Sequence, residues 1–146
     1  MKWIHVLLAI TAVGANITYG VWLPLAAREP QHLGFALRGV RVLDNRVANP
    51  AYALLLITGM ALTGAGRIPI STPWVLTGLV LWVILVVIAA ARYTPTLRRQ
   101  IEALDAGGPT SPEYRRLAAT GTRVGILLLI IAVAIVFVMV AKPALW

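Results

Sequence analysis

A single histidine stands among apolar residues near the start of this chain, in Trp3-Ile4-His5-Val6-Leu7. A neutral imidazole there can ligate haem iron, the central metal of a chlorin, or copper. On a helix turning about 100° per residue, Asn16 falls within about 20° of His5 and Tyr19 within about 40° on the other side. Ala9 and Ala12 lie on the same stripe and fill little space, so either a neighbouring helix or a flat cofactor ring must cover it. His5, Asn16 and Tyr19 are the candidate cofactor-binding residues. The bland role for His5 is a hydrogen bond to a neighbouring backbone group or a lipid headgroup. For Asn16 it is an interhelical hydrogen bond, about 0.6 kcal/mol on average in membranes. Met60 and Met139 are expected in the same half of the bilayer as His5. Thioether sulfur is a soft ligand for Cu(I), and His/Met pairs ligate haem in some cytochromes. A site made by His5 with Met60 or Met139 is the candidate metal centre, and apolar filler is the ordinary role for both methionines. His32 falls on the opposite side and reads as a surface residue.

No catalytic set accompanies these residues. The apolar stretches hold no carboxylate, the group that proton-coupled transporters often keep at mid-membrane. There is no Ser/His/Asp arrangement, metal-hydrolase motif or phosphate-binding glycine loop. No catalytic residue is assigned. The chain has no cysteine, which excludes disulfides, thiol catalysis and cysteine-ligated clusters. It also lacks the paired halves of many transporters.

The elements that must position these residues are four apolar stretches, 3–25, 47–65, 72–91 and 124–141. None contains Asp, Glu, Lys or Arg. Each has about the ~20 residues a helix needs to cross the hydrocarbon layer. With 60% hydrophobic and 12% charged residues over 146 positions, the chain falls far below the ~25% charge of a soluble domain. One transmembrane domain, 1–146, uses the whole sequence. The net charge of +8 is explained by topology, with no nucleic acid required. Arg28, Arg38, Arg41 and Arg46 lie in the first connection, and Arg92, Arg98, Arg99, Arg115, Arg116 and Arg123 in the third. Only Lys2, Arg67 and Lys142 fall on the other side. The positive-inside rule makes the arginine-rich side cytoplasmic and puts both termini outside. Those arginines are expected to meet anionic lipid headgroups, at ~1 kcal/mol each. The first apolar run is longer than the ~7–15 residues of a signal peptide, so it reads as an uncleaved helix.

Trp3, Trp22, Trp74, Tyr93 and Trp146 suit the interfacial belts, and Trp82 reads as a packing residue. Pro30 opens a short amphipathic helix in which Leu33, Leu37, Val40, Asp44 and Val47 recur at helical spacing. It is expected on the inner membrane surface. Ser71 or Thr72 caps the third membrane helix. That helix is so uniformly apolar that much of it should face lipid. A helical extension follows Thr94-Pro95 and ends at Gly107-Gly108-Pro109. Ser111 then caps a last helix running unbroken into the membrane. A second face of helix 1, Thr11, Gly14 and Thr18, is small enough for close helix approach, which predicts that helix 1 lies at the bundle centre.

Three segments carry a resemblance: Lys2-Trp3-Ile4-His5-Val6-Leu7, then Arg41-Val42-Leu43-Asp44-Asn45-Arg46 leading to Pro50 and Thr58-Gly59, and finally Met139-Val140-Ala141-Lys142-Pro143. Together they resemble the bacterial predicted integral membrane proteins of the domain of unknown function 2269 family. That family is more distantly similar to copper-resistance D proteins and to HemJ-type protoporphyrinogen oxidases, which look like four-helix haem b proteins with a histidine early in helix 1. His5 matches that histidine. The HemJ-like pattern has another in the third membrane helix, where this chain has none, so the oxidase activity is not carried over.

The expected fold is all-α, an integral membrane four-helix bundle with short cytoplasmic amphipathic and extension helices, in the bacterial inner membrane. The expected function is that of a non-enzymatic accessory subunit of a larger membrane complex, or a homo-oligomer. The alternative is a haem b or copper protein using His5 for electron transfer or metal handling.

Overall fold

Hydrocarbon offers the backbone no hydrogen-bond partners, so a chain this apolar must satisfy its amides within helices. The computed structural model describes residues 1–143, and within them the chain is all-α. Six α-helices follow one another: α1 Lys2–Ala27, α2 Pro30–Leu43, α3 Asn49–Ala65, α4 Pro73–Ile88, α5 Thr94–Gly107 and α6 Pro112–Ala141. Two π-helical turns, Asp44–Ala48 and Ala89–Tyr93, join α2 to α3 and α4 to α5 without a break. Four continuous helical rods result, Lys2–Ala27, Pro30–Ala65, Pro73–Gly107 and Pro112–Ala141, each long and apolar enough to cross a membrane. Three of the four expected apolar stretches lie within one rod each, and the other, 72–91, begins at Thr72, the residue just before the rod Pro73–Gly107. Trp146 and the end of the expected domain lie outside the described residues.

The π-turns have a sequence cause. Pro50 and Pro95 sit two positions past each turn, at the second residue of α3 and of α5. A proline inside a helix has no N–H to donate, and its ring presses on the carbonyl four residues back. Widening the preceding turn by one residue relieves that clash and lets the rod continue. The middle two rods therefore form a hairpin with a matched bend in each arm. Its tip is the short connection 66–72, where Arg67 takes a left-handed φ of 50°.

The arginine-rich end is the better packed one. Leu33, Leu37 and Val40 of α2 bury against α1 and α5, and Leu37 has no exposure. This revises the expectation that the amphipathic helix rests on the membrane surface. Its apolar stripe covers protein, because α5 supplies Leu97 and Ile101 opposite it. The polar side of α2 still carries arginines outward. Ser111 caps α6 as expected, accepting from the Tyr114 amide at 3.3 Å, and α6 runs 30 residues without interruption. Thr72 caps α4 by position alone, with no side-chain bond.

Packing in the membrane uses close approach. Gly78 of α4 receives the terminal methyl of Met139 from α6, leaving no room for a Cβ. Trp82 packs as expected, its indole N–H donating to the Tyr52 carbonyl at 3.2 Å. Lys142 lies over the Trp74 ring, 5.2 Å from its centroid. Helix α1 packs on α3 and α6, but Thr11 and Thr18 are exposed and a Cβ at Gly14 would meet nothing within 4 Å. This corrects the central placement of helix 1. One of its two small-residue sides is covered and the other is open.

Leu37→Ala should leave a cavity at the α2–α1–α5 junction and cost about 2–5 kcal/mol. Unfolding in mixed micelles, followed by circular dichroism, reads that loss. An unchanged midpoint would contradict the buried position of α2.

Candidate functional site

The polar residues of α1 face α3. His5 reaches Thr58, with 2.7 Å between Nδ1 and Oγ1. The ring lies against Gly59, where an added Cβ would come within 3.3 Å of Cε1. Thr58 Oγ1 also lies 2.7 Å from the Leu54 carbonyl and 3.3 Å from that of Leu55. Its one proton goes either to a carbonyl or to Nδ1; when it goes to a carbonyl, Nδ1 carries the ring proton and Nε2 keeps a lone pair.

Asn16, eleven residues or ~16 Å further along the helix, donates to Tyr52 Oη at 2.6 Å and to the Ala12 carbonyl at 3.2 Å. Tyr52 in turn takes the Trp82 N–H on its carbonyl. This chain of contacts ties α1 to α3 and α3 to α4. Tyr19 is buried and stacks nearly parallel on Tyr93 with centroids 6.5 Å apart. Its hydroxyl has no partner among the described residues.

The predicted stripe is thus one face used in two ways. Asn16 and Tyr19 line a cavity of about 460 Å³ toward the arginine-rich end, together with Tyr93, Gln100, Tyr114 and Thr122. His5 is not in its wall. Gln100, also buried, sits within 3.4 Å of Tyr114 Oη. Of the candidate metal ligands, Met139 rests on Gly78, and Met60 is 43% exposed, next in sequence to the Gly59 that the His5 ring lies against. No group of three or more His, Cys, Asp or Glu residues able to hold a metal exists among the described residues. His32 is on the surface, 3.5 Å from Glu29.

One residue was overlooked as functional. Asp44 is only 7% exposed, and its carboxylate accepts from Asn49 Nδ2 at 3.4 Å. It lies three residues before the spanning stretch of its rod. Burial raises its pKa, and the Asn49 and Thr94 side chains partly offset the rise. The signal was present in the sequence. Asp44 occupies an apolar register in the Leu33–Leu37–Val40 stripe, and a carboxylate in a buried register needs an explanation.

A family model described as predicted integral membrane protein, DUF2269, matches residues 1–143. The chain belongs to the DUF2269 family. No curated protein and no solved structure matches it, and the likeness to copper-resistance D and HemJ-type proteins gains no match. Family membership therefore fixes an integral membrane protein and leaves its function to the residues.

In a double-mutant cycle, Asn16→Ala and Tyr52→Phe should couple by about 0.6 kcal/mol and by no more than about 1.7 kcal/mol. Unfolding of the two single variants and the double variant in micelles measures it. Strict additivity would mean that the Asn16–Tyr52 bond is not made.

Proposed function

We propose that this DUF2269 protein is a non-enzymatic accessory subunit that packs against a larger membrane complex or a second copy of itself. The observation that carries the reading is the uncovered face of α1. Thr11 and Thr18 turn their hydroxyls back onto their own helix, donating to the Leu7 and Ala15 carbonyls at 2.8 and 2.6 Å. Gly14 lies between them with open space beside it. A face whose polar groups are satisfied and whose side chains are small lets another backbone approach closely, which is how helices associate in lipid. The arginine distribution supports a location in the bacterial inner membrane, both termini outside, with the arginine-rich end against anionic headgroups in the cytoplasmic leaflet.

Native mass measurement from a mild detergent tests this reading. It should find a stoichiometric partner or a homo-oligomer. Gly14→Leu should weaken the assembly at least about tenfold, a change of ~1.4 kcal/mol, while leaving the monomer folded. A monomer at every concentration, with no partner retained, would overturn it.

A second reading has its own support in the His5–Thr58 contact. In the tautomer that donates Nδ1–H to Thr58, Nε2 keeps the lone pair that a haem b iron or a copper ion needs, and such support of the non-ligating nitrogen is usual at metal sites. His5 is the ligand this reading rests on. Bound haem or copper would supply one-electron chemistry, and this chain would orient the imidazole. The purified protein should then show a haem absorption band or stoichiometric copper, lost in His5→Ala and kept in Met60→Leu. A colourless, metal-free preparation from the native membrane would sink this reading.

A further inference from the structure

Asp44 opens onto a cleft of about 350 Å³ between the two π-turns and the start of α5. That volume is at the lower end of small-molecule sites, which begin at ~300 Å³. Arg41 and Arg98 line the same cleft, as do Asn45 and Thr94. The ion pairs among the described residues are His32–Glu29, Arg38–Asp105 and Arg98–Glu102. Asp44 is in none of them, so no guanidinium comes within the 4.0 Å that would pair it. Arg41 also has no carboxylate partner among the described residues. A buried carboxylate therefore shares a cleft with two cations and touches neither.

The two signs are separated by depth. Asp44 is more than nine-tenths buried, whereas Arg41 and Arg98 are exposed at the rim. A ligand that fits must put a hydrogen-bonding cation deepest and an anion just outside it. We propose that this cleft binds a phosphoethanolamine group, its primary ammonium on Asp44 and its phosphate between Arg41 and Arg98. A primary ammonium carries three N–H donors, as a lysine head does. It would pair with the carboxylate, whose present partners are the neutral side chains of Asn49, at 3.4 Å, and Thr94. A guanidinium pair at the rim suits phosphate. The cleft lies where the apolar helices α3 and α4 give way to the arginine-bearing helices α2 and α5, with Asp44 nearer the apolar stretches than Arg41 and Arg98. A choline headgroup has the charge without N–H donors, and a glycerol headgroup lacks the cation.

The bond from Asn49 and the placement of Thr94 both depend on the π-turns, which bring the residues before Pro50 and Pro95 to one level. The two bends thus make the cleft as well as relieving the prolines.

The test uses the full chain, stripped of lipid in mild detergent and offered phosphatidylethanolamine, phosphatidylglycerol and phosphatidylcholine of matched acyl chains, with retention read by native mass spectrometry. Phosphatidylethanolamine should be retained at least tenfold better than either of the others. Asp44→Asn should reduce it to their level. Arg41→Glu, an exposed change that spares the fold, should lower retention of phosphatidylethanolamine about tenfold as well. Soluble O-phosphoethanolamine, added as competitor, distinguishes the sources. Displacement at millimolar concentration without any lipid preference assigns the same cleft to a free ligand, and preference for the lipid assigns it to the bilayer. Binding of neither form, or unchanged selectivity in both variants, would overturn the proposal.

Discussion

Polar groups inside this protein must find their partners without help from water, and among the buried side chains of the described residues only the Tyr19 hydroxyl has none. That constraint forces the backbone into four helical rods and governs the side chains within them. Thr11, Thr18, Thr58 and Thr63 each return a hydroxyl to a carbonyl of their own helix. Asn16, which cannot satisfy its whole amide that way, reaches Tyr52 on the next rod. His5 hydrogen-bonds the same Thr58 hydroxyl. The bonds between α1 and α3 exist because the alternative is an unsatisfied polar atom in hydrocarbon, which costs several kcal/mol. Individually they are weak. Together they fix which face of α1 turns inward, and so which face is left for lipid or a partner.

The same economy explains the two π-turns. Proline within a long helix would ordinarily break or kink it. Here each proline follows a widened turn at the level where apolar sequence gives way to arginine-bearing sequence. The rods cross from membrane to polar surroundings without fraying, and the bend brings α2 onto α1 and α5. An amphipathic helix that could have lain on lipid instead roofs the arginine-rich end of the bundle. Asp44 stands at that junction. Its burial follows from the geometry of the turn, because the residue sits in the stripe that faces protein in α2 and must still face protein when the rod bends.

The molecule therefore divides along the membrane normal. The end near His5 is thin, with exposed apolar side chains and one interhelical bond. The arginine-rich end is thick, with a closed core, a cavity beside Tyr19 and a cleft beside Asp44. Polar groups that could recognise something are concentrated there, where water and headgroups are near and the cost of burial is lowest. His5 is the exception. It is a group of chemical interest in the thin half, held in place by a threonine.

The sequence by itself determined the solvent, the number of rods and most of their limits. Lengths of uncharged apolar chain and the fixed rise of a helix leave little freedom, and Ser111, Pro73 and Pro112 mark starts through local chemistry. It also placed Asn16 and Tyr19 on one stripe with His5, which is helical geometry alone. Only the tertiary structure decided which rods meet. Helix–helix choice in lipid rests on shape at a few close contacts, such as Met139 on Gly78 and His5 on Gly59, and shape complementarity between distant segments has no periodic signature. The sequence therefore showed two small-residue sides on α1 but not that one would stay open. It showed Asp44 in an apolar register but not its burial away from every cation, because that depends on two bends in separate rods arriving at one level.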